Sequence, residues 1–464
     1  MNRYQNLAKN TVIFAIGTFS SKILSFVMVF FYSRAMQTAE FGMLDIIISS
    51  ASLMLPLAYL GVTNAIIRFG LDAENRKSDV FTTGLVAVGI GFGILVVASP
   101  LIMLIEDLRP YIVLIYAHVL MSALRHICSF FVRANDQAKL FAVDGVFSTF
   151  MTCLLTYIFL IPLRLGIVGY VLAIILADLS SVIFLTIKGK LWKYTKFKGL
   201  NKKLTATMIR FSLPLMPTSL LWWVVNVSDR YFVKYMIGDS ANGLYAAAYK
   251  VPTILTLVAT IFLDAWQISA VVENKSETRN RFYTNIFKSF QGGVFVVGSV
   301  LILLSKFVTR ILLADSYYDS WQYIPVLIFA TVFISFVTFL GNIYLAEKRN
   351  VGTLITTLIG AVSNLILNYL LIPTFGAQGA AIATCISYAL VFLIRAVDIK
   401  WRNRDISFAP ISVTVNSIIM LAQVVIMLFE PPHWLAYQFI CLLLLTVINF
   451  KTLITLIKKI LKRG

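Results

Sequence analysis

Runs of about twenty predominantly apolar residues recur from near Thr11 to near Ile460, and no stretch between them is long enough for a large soluble domain. Runs of this length fit helices that cross about 30 Å of lipid core. The pattern predicts an all-α polytopic membrane protein of about fourteen spans. They lie near 10–33, 41–66, 80–105, 110–132, 140–162, 166–187, 208–233, 243–270, 282–305, 321–345, 352–372, 376–397, 406–429 and 433–457. The first run is too long, and too poorly followed by a small-residue cleavage site, for a removable signal, so it reads as the first span.

Only 13% of the residues are charged, against about 25% in soluble chains. The net charge of +19 forms no basic face for nucleic acid; it follows membrane topology. With the N-terminus inside, the connections assigned to the cytoplasm hold 30 of the 40 Lys and Arg residues, with eight of them between Lys188 and Arg210. The cytoplasmic set includes Arg395, Lys400, Arg402 and Arg404, while six (Arg34, Arg109, Arg164, Lys234, Lys306 and Arg310) fall outside. Both termini are therefore expected in the cytoplasm, with a basic inner surface that attracts anionic lipid. Tyr317, Tyr318, Trp321 and Tyr323 cluster at one outer end and Trp434 at another, the usual place for headgroup anchors. Cys128, Cys153, Cys385 and Cys441 sit inside apolar runs without metal spacing and read as small apolar side chains.

The basic segment Lys188–Arg210, with Gly199 and Asn201, is the longest polar interruption. Landmarks before it return after it. Phe41-Gly-Met-Leu44 is echoed by Asn242-Gly-Leu-Tyr245, and Arg133-Ala-Asn-Asp136 by Leu345-Ala-Glu-Lys348. Leu160-Ile-Pro162 with Gly166-x-x-Gly169 is echoed by Leu371-Ile-Pro373 with Gly376-x-x-Gly379, at offsets of 211 and 210. The expectation is two pseudo-symmetric six-helix lobes, 1–200 and 201–402, followed by two additional helices and a basic tail in 403–464. An even number of spans per half makes the repeats parallel, an arrangement suited to alternating access.

Charges in hydrocarbon are costly and mark pathways. Lys22, Arg125, Arg230 and Lys250 fall inside expected spans, with Asp45, Asp178, Asp229 and Asp264. Polar residues step at helical spacing. Asp45, Ser49, Ser52, Pro56, Tyr59 and Thr63 share a face in the second span, and Tyr245, Tyr249, Thr253, Thr256, Thr260 and Asp264 share one in the eighth. The seventh carries Ser219, Trp223, Asn226 and Arg230, the first Thr18, Lys22 and Ser25, and the eleventh Thr353, Thr357, Gly360, Asn364 and Asn368. The eleventh, which has no charge, reads as interhelical glue. The other four are expected to line a wet lumen. Cations there suit an anionic group such as a diphosphate. His118 and His126 read as packed neutral side chains. No metal site or cofactor is expected. No Walker A sequence, HExxH or Asp-x-Asp pair is present, and the longest outer loop, near 306–320, is too short for a catalytic domain.

Asn10 with Lys22, Phe41-Gly42, Phe211-Ser-Leu-Pro214-x-x-Pro217, Asp229-Arg230, Gly243-x-Tyr245-x-x-Ala248-x-Lys250 and Gly376-x-x-Gly379-x-Ala381 occur in that order. In these motifs the chain resembles the polysaccharide transporter branch of the multidrug/oligosaccharidyl-lipid/polysaccharide flippase superfamily. The resemblance implies a non-enzymatic flippase that moves undecaprenyl-diphosphate-linked oligosaccharide across the bacterial cytoplasmic membrane for O-antigen, capsule or exopolysaccharide assembly. It also implies a V-shaped molecule with a cationic lumen and contact with polysaccharide polymerase machinery. The headgroup and cavity residues expected from pattern and resemblance together are Lys22, Arg125, Arg230, Lys250, Asn226, Tyr245 and Tyr249. Asp45 and Asp264 are the candidates for ion coupling. Within the same superfamily the rival is a multidrug and toxin extrusion antiporter, whose lumen is more acidic.

Overall fold

A computed structural model describes residue 26 and residues 28–461, apart from 73, 274–276 and 348. The described residues form helices and turns with no strand. Among the described residues eleven helices are long and apolar enough to cross a membrane, and a twelfth span forms if the bent pair Asp239–Ala248 and Pro252–Asp264 is counted as one. The long helices are α1 (Thr38–Ala58), α2 (Lys77–Val97), α3 (Ile112–Ala134), α4 (Ala138–Leu160), α5 (Gly166–Gly189) and α6 (Met216–Met236). The bent pair supplies α7 (Asp239–Ala248) and α8 (Pro252–Glu273), followed by α9 (Arg279–Leu303), α10 (Ile324–Ala346) and α11 (Asn350–Phe375). The last three are α12 (Ala377–Arg402), α13 (Pro410–Phe429) and α14 (Trp434–Leu461). Each expected span from the second onward has a helical counterpart. The first lies largely outside the described residues, and Lys22 with it.

The chain divides into two compact units, Met1–Trp223 and Val224–Gly464. In the first, α1 opens with a capping box: the backbone N–H of Gln37 donates to Glu40 Oε2 at 3.0 Å. Helix α3 packs on α1, α4 and α5, and α4 packs along α5. The basic segment is partly helical, not merely an interruption. Asn201 Oδ1 accepts from the N–H groups of Lys203 and Leu204, each at 3.1 Å, and starts the helix Lys202–Ser212. That helix buries Leu204, Met208 and Ser212 and leaves its basic residues outward, the division expected of an interfacial helix.

The second unit is organised around α10, almost wholly buried from Ile324 to Ala346. Its apolar surround follows from aromatic residues on α8, α9 and α12. The Trp266 ring stacks on Phe339 at 4.3 Å, and the Trp266 indole N–H donates to the Phe339 carbonyl at 3.0 Å. Phe287, Phe336 and Phe392 extend the cluster. Such aromatic pairs contribute about 0.5–1.5 kcal/mol each beyond area burial. Helices α13 and α14 are tied to α9 by a buried amide network. Asn416 Nδ2 donates to Gln291 Oε1 at 2.9 Å and to Asn449 Oδ1 at 3.2 Å, and Gln291 Nε2 donates to Ser412 Oγ at 3.0 Å.

The repeated glycine motif has the same physical cause in both units. Gly166 and Gly376 open helices α5 and α12 at φ +55° and +60°, a region that disfavours a Cβ. Three residues on, the next helix passes tightly over the end of the preceding one. A Cβ on Gly169 would lie 2.7 Å from Leu165 Cβ, and one on Gly379 would lie 2.3 Å from the Leu371 carbonyl oxygen. Gly379→Ala is expected to cost about 1–3 kcal/mol, because a carbonyl in a helix cannot simply move aside. Gly89→Ala, where a Cβ meets nothing within 4 Å, is the matched neutral control. Thermal unfolding of the two purified variants in one detergent checks the difference; equal melting temperatures would refute the steric reading.

Candidate functional site

In the second unit the polar side chains converge on Asp229, which is fully buried on α6. Its Oδ1 accepts from the Arg230 backbone N–H at 3.0 Å. Its Oδ2 accepts from the hydroxyls of Tyr245 at 2.8 Å and Tyr249 at 2.6 Å, with the Thr384 hydroxyl at 3.4 Å. The Tyr388 hydroxyl donates to Asn226 Oδ1 at 2.6 Å. Behind them Ser228 donates to Asn364 Oδ1 at 3.0 Å, and Asn368 Nδ2 donates to the same oxygen at 2.9 Å. The Arg230 guanidinium carbon lies 4.9 Å from the centre of the Tyr249 ring, a cation–π arrangement. Adjacent helical residues point about 100° apart, so the sequence places Asp229 in the packed interior and sends Arg230 to a half-buried position beside the Tyr249 ring. Four of the expected site residues, Asn226, Arg230, Tyr245 and Tyr249, are thus brought together.

Lys250 follows at the break between α7 and α8, where the two axes bend by 41°, and it is half-buried. Below it the α8 face remains open. Thr253, Thr256 and Asp264 are exposed and Thr260 is half-buried. The α11 face behaves differently: Thr357, Asn364 and Asn368 are buried and hydrogen-bonded within the unit. One polar stripe is packed, and the other is largely exposed.

In the first unit, Arg125 on α3 is held by carboxylates. Its Nη1 lies 3.2 Å from Asp178 Oδ1 on α5, its Nη2 3.7 Å from Asp144 Oδ2 on α4, and its Nε donates to Ser181 Oγ at 3.1 Å. Ser122 and Ser181 donate to Asp178 and Asp144 respectively, and His118 Nδ1 is 3.3 Å from Ser122 Oγ. Two buried carboxylates share one guanidinium, so with both ionised the group carries an excess negative charge that a proton or cation would offset. Asp45 is buried on α1. On the same helix, the Ser49 carbonyl and Ser52 Oγ each lie 3.0 Å from the indole nitrogen of Trp223 on α6. The His126 ring packs at 5.8 Å from Tyr59. Among the described residues no group of three or more His, Cys, Asp or Glu could hold a metal ion.

Sequence reading missed several participants. Thr384 and Tyr388 on α12 complete the Asp229 network, and their i, i+4 spacing, continued to Arg395, was the available signal. Arg395, assigned to a cytoplasmic connection, is instead 1% exposed inside α12, because that helix continues to Arg402. Lys234, assigned to an outer loop, is buried and paired with Asp239 at 2.5 Å. Tyr317, taken as a headgroup anchor, is fully buried.

A bundle of this topology with buried charge networks defines the class: a multi-span membrane protein with the fold shared by flippases and multidrug transporters. Superposition on a lipid II flippase, MurJ, in an inward closed conformation gives a TM-score of 0.74 at 14% identity, over 94% of this chain and 98% of that one. An inward-facing multidrug resistance transporter of the MATE family gives 0.67 at 15% identity, over 82% and 95%. The chain belongs to the polysaccharide biosynthesis protein family, which matches residues 7–267. Membrane protein MJ1068 of Methanocaldococcus jannaschii is 25% identical over 78% of each chain. MJ1375 of the same organism is 23% identical over 51% of this chain and 59% of its own length.

Proposed function

We propose that the protein flips an undecaprenyl-diphosphate-linked oligosaccharide from the cytoplasmic to the outer leaflet of the bacterial cytoplasmic membrane, delivering it to polymerisation machinery outside. The observation that carries the reading is the open stripe of α8. Threonines and an aspartate are expensive against lipid tails, and Thr253, Thr256 and Asp264 are exposed, a face suited to border water. A wet path beside a membrane helix serves a cargo whose head is too polar for hydrocarbon and whose tail can remain in lipid. Arg230 and Lys250 stand at one end of that path and suit a diphosphate, Arg through its planar fork and Lys as a point charge. Lys22 joins them as a proposed contact. Arg125 has a different task in this scheme. Shared between two carboxylates, it sets the charge of a group that can accept a proton or cation, alongside Asp45 and Asp264, and so couples transport to an ion.

Reconstitution provides the test. Proteoliposomes loaded with radiolabelled lipid-linked oligosaccharide from the source organism should expose it to an added glycosidase at a rate far above protein-free vesicles. No acceleration over empty vesicles would overturn the proposal. The excess carboxylate of the Arg125 group favours the second reading, a cation-coupled multidrug antiporter. That reading gains if the same vesicles expel an organic cation dye when a sodium or proton gradient is applied.

A further inference from the structure

A cavity of about 760 Å³ opens in the second unit, within the size range of small-molecule sites, about 300–1,000 Å³. It lies at the end that the Lys and Arg distribution assigns to the outside, where the end of α6, the 3-10 helix Asp315–Gln322, the α11–α12 turn and the end of α13 meet. Trp321, Tyr323, Phe375 and Phe429 give it aromatic walls, and Gln378 and Glu430 give it polar ones. The Gln378 amide oxygen and nitrogen are both withdrawn from solvent and have no hydrogen-bond partner among the described residues. A buried amide left so costs about 1–3 kcal/mol, and native sites keep such groups where a ligand satisfies them. Glu430 is fixed by an ion pair with Lys306, whose ammonium sits 4.1 Å from the Trp321 ring centre.

We infer that this outer cavity is a saccharide-binding site, separate from the headgroup residues on α6 to α8, that receives a sugar of the cargo on the outer side. A pyranose offers an apolar C–H face for aromatic walls and hydroxyls that donate and accept at once. Gln378 lacks both a donor and an acceptor partner, so a hydroxyl array matches it and a purely apolar tail does not. A phosphate is disfavoured because Lys306, beside the cavity, is already matched by Glu430. An organic cation is disfavoured because Glu430 is already neutralised. The identity of the sugar as cargo rests on the flippase reading; the cavity chemistry does not.

The experiment uses the full chain in lipid nanodiscs and, as probe, the free oligosaccharide released by mild acid from the source organism's lipid-linked intermediates. Saturation-transfer NMR should show transfer to the ring protons of the sugar. Trp321→Ala and Gln378→Leu should each reduce it at least fivefold, while Gly89→Ala, where a Cβ meets nothing within 4 Å, leaves it unchanged. Gln378→Leu removes only an unpartnered amide, so its fold and melting temperature should hold even if Trp321→Ala destabilises the chain. No transfer with the unaltered protein, or undiminished transfer in folded Gln378→Leu, would overturn the inference. Flipping without transfer rejects the cavity and keeps the transport reading; transfer that depends on Gln378 without flipping does the reverse.

Discussion

Arg230→Ala will slow flipping of lipid-linked oligosaccharide in proteoliposomes by one to two orders of magnitude. A charge-assisted hydrogen bond to a phosphoryl oxygen contributes about 1.5–3 kcal/mol, and each 1.4 kcal/mol corresponds to about a factor of ten. The position is prepared for this role. Tyr249 holds its ring 4.9 Å from the guanidinium carbon and its hydroxyl 2.6 Å from Asp229 Oδ2, so the same residue orients both neighbours. Asp229 anchors α6 to α7 and α12 through Tyr245, Tyr249 and Thr384. Arg230→Lys keeps the charge and loses the fork, and its defect should be several-fold smaller than that of Arg230→Ala. Lys250→Ala, a loss of a point charge at the α7–α8 break, should fall between the two. Thermal stability should change little in all three, since each side chain is only half-buried. Unchanged flipping by Arg230→Ala and Lys250→Ala at equal reconstituted levels would remove both from the site.

The helices were readable in the sequence because hydrocarbon imposes one rule on every span, a length of apolar residues with internal hydrogen bonds. The Gly166 and Gly376 motifs were readable for a related reason: a positive φ and a close helix approach leave glycine as the compatible residue at both places. Charge partners were harder. Arg125 meets Asp144 and Asp178, which lie 19 and 53 residues away in sequence on two other helices. Periodicity tells which face of a helix is polar, not which rotation and height bring it opposite a second helix. The difference between the α8 and α11 stripes was also beyond composition, since both are spaced alike and only packing decides which is covered. The aromatic cluster at 317–323 illustrates the same gap. Tyrosine and tryptophan at an outer end fit headgroup anchoring, yet the 3-10 helix Asp315–Gln322 turns Tyr317 into the interior and Trp321 toward a cavity.

Arg395 shows how far a single cation can depart from the topology rule, and its substitutions have the largest expected effect on stability. Its side chain lies about 10 Å along α12 from the helix end at Arg402 and reaches partners on two other helices, α10 and α11. Nε donates to Thr356 Oγ1 at 2.9 Å, Nη2 to Thr357 Oγ1 at 3.2 Å and Nη1 to the Val337 carbonyl at 2.9 Å. Gly341 leaves the room, since a Cβ there would lie 3.0 Å from Nη1. Among the described residues no carboxylate is within ion-pair distance of Arg395. Its two threonines already donate to backbone carbonyls of their own helix, Thr356 to Gly352 at 2.9 Å and Thr357 to Thr353 at 2.8 Å, so loss of the guanidinium strands no hydroxyl hydrogen. Arg395→Ala opens a cavity between α10, α11 and α12 and should cost about 2–5 kcal/mol, seen as a fall in melting temperature of at least several degrees in detergent. Arg395→Met fills most of that volume and relieves an uncompensated buried charge, a change that is often near neutral. Its melting temperature should lie close to that of the unaltered chain. Equal losses for the two variants would mean that the hydrogen bonds, rather than the filled space, hold α10, α11 and α12 together at this level.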